Sequence, residues 1–198
     1  MRTVFLIGDS IRDGSRTSPG YGDIVARRLE GEMEVVQPDG NCEFTTYTLR
    51  HIRDWVRNQK IDRADVIHWN NGLWDCAYIE GDPEPLVPPE EYARNLTRIV
   101  RMLRHFFPEA KIIFALTTPI VEEAYTAPFM RDNATIREYN RIAVETLSPL
   151  GVRFNDLYSL TETMTADDYA DRKTHFSAAA DEILAGQVIA SIREALAE

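Results

Sequence analysis

Five short apolar runs alternate with longer amphipathic stretches along the whole chain, and this alternation limits the possible folds more than any other feature. TVFLI (3–7), MEVVQ (33–37), DVIHWN (65–70), KIIFALTTP (111–119) and Val152 to Asn155 are of strand length. TVFLI is continuously apolar, which suits a strand buried on both faces. Between these runs lie helix-like segments. DIVARRLEG (23–31) ends on Gly31, and Thr46 to Asn58 repeats through Leu49, Ile52 and Val56. A third helix opens at Pro88-Pro89 with Glu90-Glu91 in its first turn; Ile136 to Leu147 and Ser177 to Leu196 complete the set. With neither repeat nor linker, the pattern predicts one domain over residues 1–198: a doubly wound parallel sheet with helices on both faces.

Such a sheet gathers ligands at the carboxyl ends of its strands. Three strands end there in polar groups, Gly8-Asp9-Ser10, Asn70-Asn71 and Thr117-Thr118, so all three are expected to face one crevice. A serine directly after a buried strand is commonly a helix cap or turn former. To act as a nucleophile it needs a base and donors for an oxyanion. Of the four histidines, His51 and His105 fall in helical patterns beside basic residues, and His68 lies inside the third strand. His175 sits in the loop DRKTHFS just before the last helix, where it can reach the rim of the sheet.

Composition narrows the partners. A net charge of −10 argues against nucleic acid or an anionic membrane as a partner and gives no support to an acidic substrate, although that total leaves room for a local basic patch. Cys42 and Cys76 have the spacing of neither a disulfide framework nor a CxxC metal site, so two reduced, buried thiols are expected. Val4 to Ile7 is too short for a signal peptide or a membrane span, which makes the cytoplasm the expected compartment. Neither GxGxxG nor GxxxxGK[ST] follows the first strand, which argues against a nucleotide ligand.

GDSI (8–11), an Asn-bearing third strand running into Gly72-Leu73-Trp74-Asp75, and Thr174-His175-Phe176 together resemble the SGNH (GDSL-type) hydrolase superfamily, in order along the chain. More narrowly, HWNNGLWD (68–75) resembles a bacterial branch with an Asn-x-Gly-Leu-x-Asp third block. The resemblance implies a flavodoxin-like three-layer α/β/α sandwich with a five-stranded parallel sheet. It also implies a serine esterase acting on a small acyl ester without metal or cofactor. Ser10 takes the nucleophile's place and offers its N–H to the oxyanion; His175 takes the base's place.

Three departures from the family pattern bear on the remaining roles. Trp74 stands where the family's third block has asparagine, so the amide donor passes to Asn70 or its neighbour Asn71. Their side chains point to opposite faces, and Asn70 is favoured. The second block, Asn41 to Thr45, lacks the family's glycine and leaves the Glu43 N–H as the backbone donor. Arg172 occupies the usual acid's position three residues before the histidine, with Asp171 one step further away. In a helical turn, Asp171 reaches His175; in an extended loop, Asp167, Asp168 or a backbone carbonyl orients the ring instead. The loop from Trp74 to Pro89, with Trp69 and Tyr78, reads either as a lid or wall suited to a sugar ring, which points to an O-acetylated carbohydrate, or as a stripe of core aromatics. The rival reading is a non-catalytic flavodoxin-like binding domain that has lost its oxyanion donors.

Overall fold

β1 (Arg2–Ile7) buries Val4, Phe5, Leu6 and Ile7 completely, as a strand covered on both faces must. The computed structural model describes residues 1–15, 18–125 and 129–197. β1 lies between β2 (Met33–Val36) and β3 (Val66–Trp69), with Val4 opposite both Val35 and Val66. Two short strands follow, β4 (Tyr78–Ile79) and, later in the chain, β6 (Phe129–Met130), which pair with each other, antiparallel, while Tyr78 also bridges Pro85. β5 (Lys111–Ala115) joins β3, and β7 (Arg153–Asn155) joins β5. The main sheet is therefore five-stranded and wholly parallel, in the order β2-β1-β3-β5-β7.

Among the described residues, seven α-helices accompany these strands: α1 (Ser10–Asp13), α2 (Tyr21–Arg28), α3 (Thr45–Asn58), α4 (Pro89–Phe106), α5 (Asn133–Leu147), α6 (Leu157–Thr161) and α7 (Ala178–Ala197). On one side α2 packs on α7, which also covers β3, β5 and β7; on the other, α3 meets α4 and α4 meets α5. The result is the expected three-layer sandwich. Each long helix turns a stripe inward. In α4 the stripe is Tyr92, Leu96, Ile99, Val100 and Leu103, all fully or almost fully buried. Burying each such side chain contributes roughly 1.5–3 kcal/mol, most of which chain entropy offsets.

Element ends follow identifiable local chemistry. β5 stops at Ala115, short of the apolar run's end, because the amide of Asn140 takes over from the ladder: its Oδ1 accepts from the Thr117 N–H at 2.8 Å and its Nδ2 donates to the Thr117 carbonyl at 2.9 Å. α5 begins three residues earlier than the apolar pattern suggests, because Asp132 caps it by accepting from the Thr135 N–H at 2.7 Å. The start of α2 is tied to α7, where Asp181 accepts from the Ser18 hydroxyl at 2.7 Å and the Gly20 N–H at 3.0 Å. Cys42 and Cys76 are buried and free. Among the described residues, no helix is long and apolar enough to cross a membrane.

Candidate active site

At the carboxyl edge of β1, each residue of Gly8-Asp9-Ser10 has a distinct structural task. A Cβ on Gly8 would lie 2.7 Å from the Cβ of Arg12 and 2.9 Å from Oδ1 of Asn70, so only glycine fits. Asp9 caps α1, its Oδ1 accepting from the Ile11 N–H at 2.9 Å. Ser10 is consequently the first residue of that helix, half-buried, with its hydroxyl at the rim. Both functions open for Ser10 in the sequence, helix entry and presentation of a hydroxyl, coexist, but the capping side chain is Asp9.

The opposing loop is held by its own hydrogen bonds. Tyr169 bridges Phe176 and the two rings stack with centroids 4.6 Å apart. Between them Oδ1 of Asp171 accepts from the backbone N–H groups of Lys173 (2.9 Å), Thr174 (2.8 Å) and His175 (3.1 Å). Oδ2 of Asp171 accepts from Nδ1 of His175 at 2.6 Å, and Nε2 of His175 lies 3.0 Å from Oγ of Ser10. The four-residue spacing closes through a tight turn with Arg172 in the left-handed region (φ 55°), not through a helix. Burial pushes the Asp171 carboxyl up, but the N–H of Thr174, the His175 ring and the other backbone donors outweigh it and hold the group below its ordinary value. It is therefore an anion at neutral pH, with its charge directed at the imidazole. The other carboxylates considered for this role are engaged elsewhere. Asp168 accepts from its own turn's Thr165, and Asp167 pairs with Arg172.

Asn70, Asn71 and Glu43, the expected oxyanion donors, do not line the cleft that holds Ser10 and His175. Oδ1 of Asn70 accepts from the Asp9 N–H at 3.1 Å. Asn71, on the opposite face, accepts from the Trp69 indole at 2.6 Å and donates to the Glu43 carbonyl at 2.7 Å. Both asparagines thus lace β3 to neighbouring segments. The Glu43 N–H donates to Oδ1 of Asn41 at 2.7 Å, and Glu43 has φ 46°, a left-handed conformation in which the family's glycine is at ease.

Asn41, which is not among the expected donors, lines the cleft, and its Oδ1 accepts from the Glu43 N–H. Arg12 brings this loop beside Ser10: the buried guanidinium donates to the carbonyls of Gly40 (2.5 Å), Gly8 (3.3 Å) and Pro38 (3.3 Å). A buried cation that satisfies three carbonyls cannot be read from a sequence.

The cleft measures about 450 Å³ and is lined further by Leu73, Trp74, Tyr125, Arg131 and Lys173. Trp74 therefore does form part of a wall, whereas Trp69 is a core residue packed edge-on against Phe114. Tyr78 belongs to the β4–β6 pair and is not among the lining residues. Gly72 lets the chain turn into this wall: its φ is 145°, and a Cβ there would lie 2.3 Å from Oγ1 of Thr117. A larger cavity, about 650 Å³, lies along Pro119 to Glu123 and α6 but contains none of Ser10, His175 or Asp171. His68 is fully buried, and burial pushes its pKa down to about 3, so it is neutral.

A parallel α/β sheet that presents a hydrogen-bonded serine, histidine and carboxylate at its carboxyl edge has the build of a serine-type hydrolase. The model of the GDSL-like lipase/acylhydrolase family matches residues 6–183, and the chain belongs to that family. Among curated relatives, the human isoamyl acetate-hydrolyzing esterase 1 homolog is 26% identical over 91% of this chain and 77% of its own length. The Arabidopsis thaliana GDSL esterase/lipase CPRD49 is 32% identical over 97% of this chain and 79% of its own. The solved structure of a lipase/acylhydrolase from Enterococcus faecalis superposes with a TM-score of 0.77 at 21% identity, covering 98% of this chain and 96% of the other. An acetylxylan esterase from Geobacillus stearothermophilus gives 0.72 at 21% identity, covering 96% and 94%. Family membership places the chain among the GDSL-type hydrolases, not with non-catalytic flavodoxin-like binding domains.

Proposed function

We propose that the protein hydrolyses small acyl esters, acetate esters of sugar-sized alcohols foremost, through Ser10, His175 and Asp171. The continuous hydrogen-bonded path from Oγ of Ser10 through His175 to Asp171 carries this reading. His175 takes the Ser10 proton on Nε2 as Oγ attacks the ester carbon, then returns it to the departing alcohol. Asp171 keeps the second ring proton on Nδ1 and stabilises the imidazolium. Water, activated by the same Nε2, then releases the acid from Ser10. Two donors serve the oxyanion: the Ser10 N–H, which as the first of α1 has no acceptor within the helix, and Nδ2 of Asn41.

The acetate preference is supported by the name of the human relative, an isoamyl acetate-hydrolyzing esterase homolog. The indole of Trp74 and the ring of Tyr125 supply flat apolar walls for a sugar, and the cleft's volume suits a small ligand. The test is labelling by a fluorophosphonate probe with mass-spectrometric localisation, alongside turnover of 4-nitrophenyl acetate. The adduct is expected on Ser10, and Ser10→Ala is expected to lose both the adduct and at least roughly 1,000-fold in kcat. Turnover within tenfold of the parent in that variant rules out Ser10 as nucleophile.

A further inference from the structure

The catalytic cleft is cationic in a protein whose net charge is −10. Among the described residues, and apart from His175, its charged lining consists of Asp171, Arg131 and Lys173. Asp171 is occupied by the His175 ring and three backbone N–H groups, so among the described lining residues no carboxylate is left open to the substrate. The roles of the two cations differ. Arg131 fixes the walls: Nε donates to the Leu73 carbonyl at 2.6 Å, Nη1 to the Tyr125 hydroxyl at 3.1 Å, and the guanidinium lies 5.5 Å from the Trp74 ring centroid. Lys173 is the freer group, its ammonium resting on the Tyr125 ring 4.1 Å from the centroid rather than on a carboxylate. The larger neighbouring cavity has the opposite character, with Glu122, Glu123 and Glu162 around a single Arg137.

The placement of Lys173 distinguishes the two halves of the ester. His175 returns its proton to the leaving oxygen, so the alcohol lies on the side of the loop that carries His175, and Lys173 belongs to the same loop.

We infer that the cleft selects esters whose alcohol part bears a carboxylate, such as an O-acetylated acidic sugar, with Lys173 as the contact for that carboxylate. This rests on the esterase reading above, and the experiment separates the two. Binding of 4-acetoxybenzoate and its neutral counterpart 4-acetoxybenzamide is measured by calorimetry in a Ser10→Ala background, where neither is consumed. The acid is expected to bind roughly tenfold more tightly at low salt, the size of one partly screened charge contact. That ratio is expected to shrink in 0.5 M salt, to fall to within about twofold of one in Lys173→Met, and to return in Lys173→Arg. Equal binding of the two compounds, or a preference that Lys173→Met leaves intact, overturns the inference. Hydrolysis of both compounds by the parent, followed in parallel, reports on the esterase reading alone: an inert parent that still prefers the acid refutes the esterase and leaves the charge selection standing.

Discussion

Replacing Asp171 by asparagine changes only one oxygen to an amide nitrogen, yet the surrounding bonds decide what that change does. Three backbone donors, the N–H groups of Lys173, Thr174 and His175, converge on Oδ1 within 3.1 Å. An amide NH₂ in that position would face three donors, so the asparagine must keep its oxygen there. Its nitrogen is then fixed 2.6 Å from Nδ1 of His175. The imidazole can meet a donor at Nδ1 only by moving its own proton to Nε2. That nitrogen, 3.0 Å from Oγ of Ser10, then donates to the hydroxyl and cannot take its proton. Returning to the competent tautomer means giving up about three hydrogen bonds worth roughly 1 kcal/mol each, or about two powers of ten in rate. Loss of the negative charge that stabilises the imidazolium contributes a further factor of similar size, for a total near 10,000-fold in kcat. The assay is steady-state hydrolysis of 4-nitrophenyl acetate, with nitrogen-15 NMR of the ring reporting the tautomer and thermal denaturation confirming the fold. A kcat within tenfold of the parent, or a ring that keeps its proton on Nδ1, shows that the turn does not dictate the tautomer.

Asn41→Asp keeps the acceptor that holds the Glu43 N–H but replaces the proposed oxyanion donor with an anion; kcat is expected to fall at least roughly 100-fold with KM little changed, and a loss under threefold removes Asn41 from the oxyanion site. Asp75 is fully buried, and burial pushes its carboxyl up to about 7 against the lowering effect of the Thr45 hydroxyl and N–H. The folded protein therefore holds this proton over a range where the unfolded chain has released it, and stability declines as pH rises from about 4 to about 7. Asp75→Asn preserves the acceptor for Thr45, removes that decline, and should raise Tm at pH 8 by about 3 °C or more; parallel Tm–pH curves for parent and variant contradict this. Arg172 is exposed and paired with Asp167 rather than with the site, so Arg172→Ala should leave kcat within about threefold, and a larger change would implicate it in the reaction.

The sequence is most informative where burial alone decides the structure. TVFLI and KIIFA are strands because nothing except a two-sided core accommodates such runs, and the long helices follow from inward stripes. Ser10 and His175 are legible because their positions derive from the sheet's carboxyl edge. The Asp171 contact is conditional on the shape of one loop, and the left-handed Arg172 that closes that loop carries no sequence signature. The oxyanion side is least legible of all. Two asparagines follow β3, and hydrogen bonds to Asp9, Trp69 and Glu43, far away in the sequence or invisible in its pattern, orient their amides. Asn41 gains its place from Arg12 and its orientation from Glu43, contacts between segments that no pattern in the chain announces. The short β4–β6 pair is hidden for the same reason, because two-residue strands leave no periodicity to detect.

The relay's two hydrogen bonds differ greatly in how much of the chain they enclose. Asp171 and His175 are four residues apart and are held by bonds within their own turn, so their contact closes almost no loop. Ser10 and His175 are separated by 165 residues, and their contact exists only while the β1 edge and the segment preceding α7 remain registered through the whole sheet. One fastening between those regions is the Asp181 carboxylate, which accepts from Ser18 and Gly20. The conformational entropy cost of that long closure falls on one half of the relay alone. On warming, Ser10 and His175 are therefore expected to part while His175 and Asp171 stay joined, so that loss of esterase activity on a temperature ramp should precede loss of the core's circular-dichroism signal.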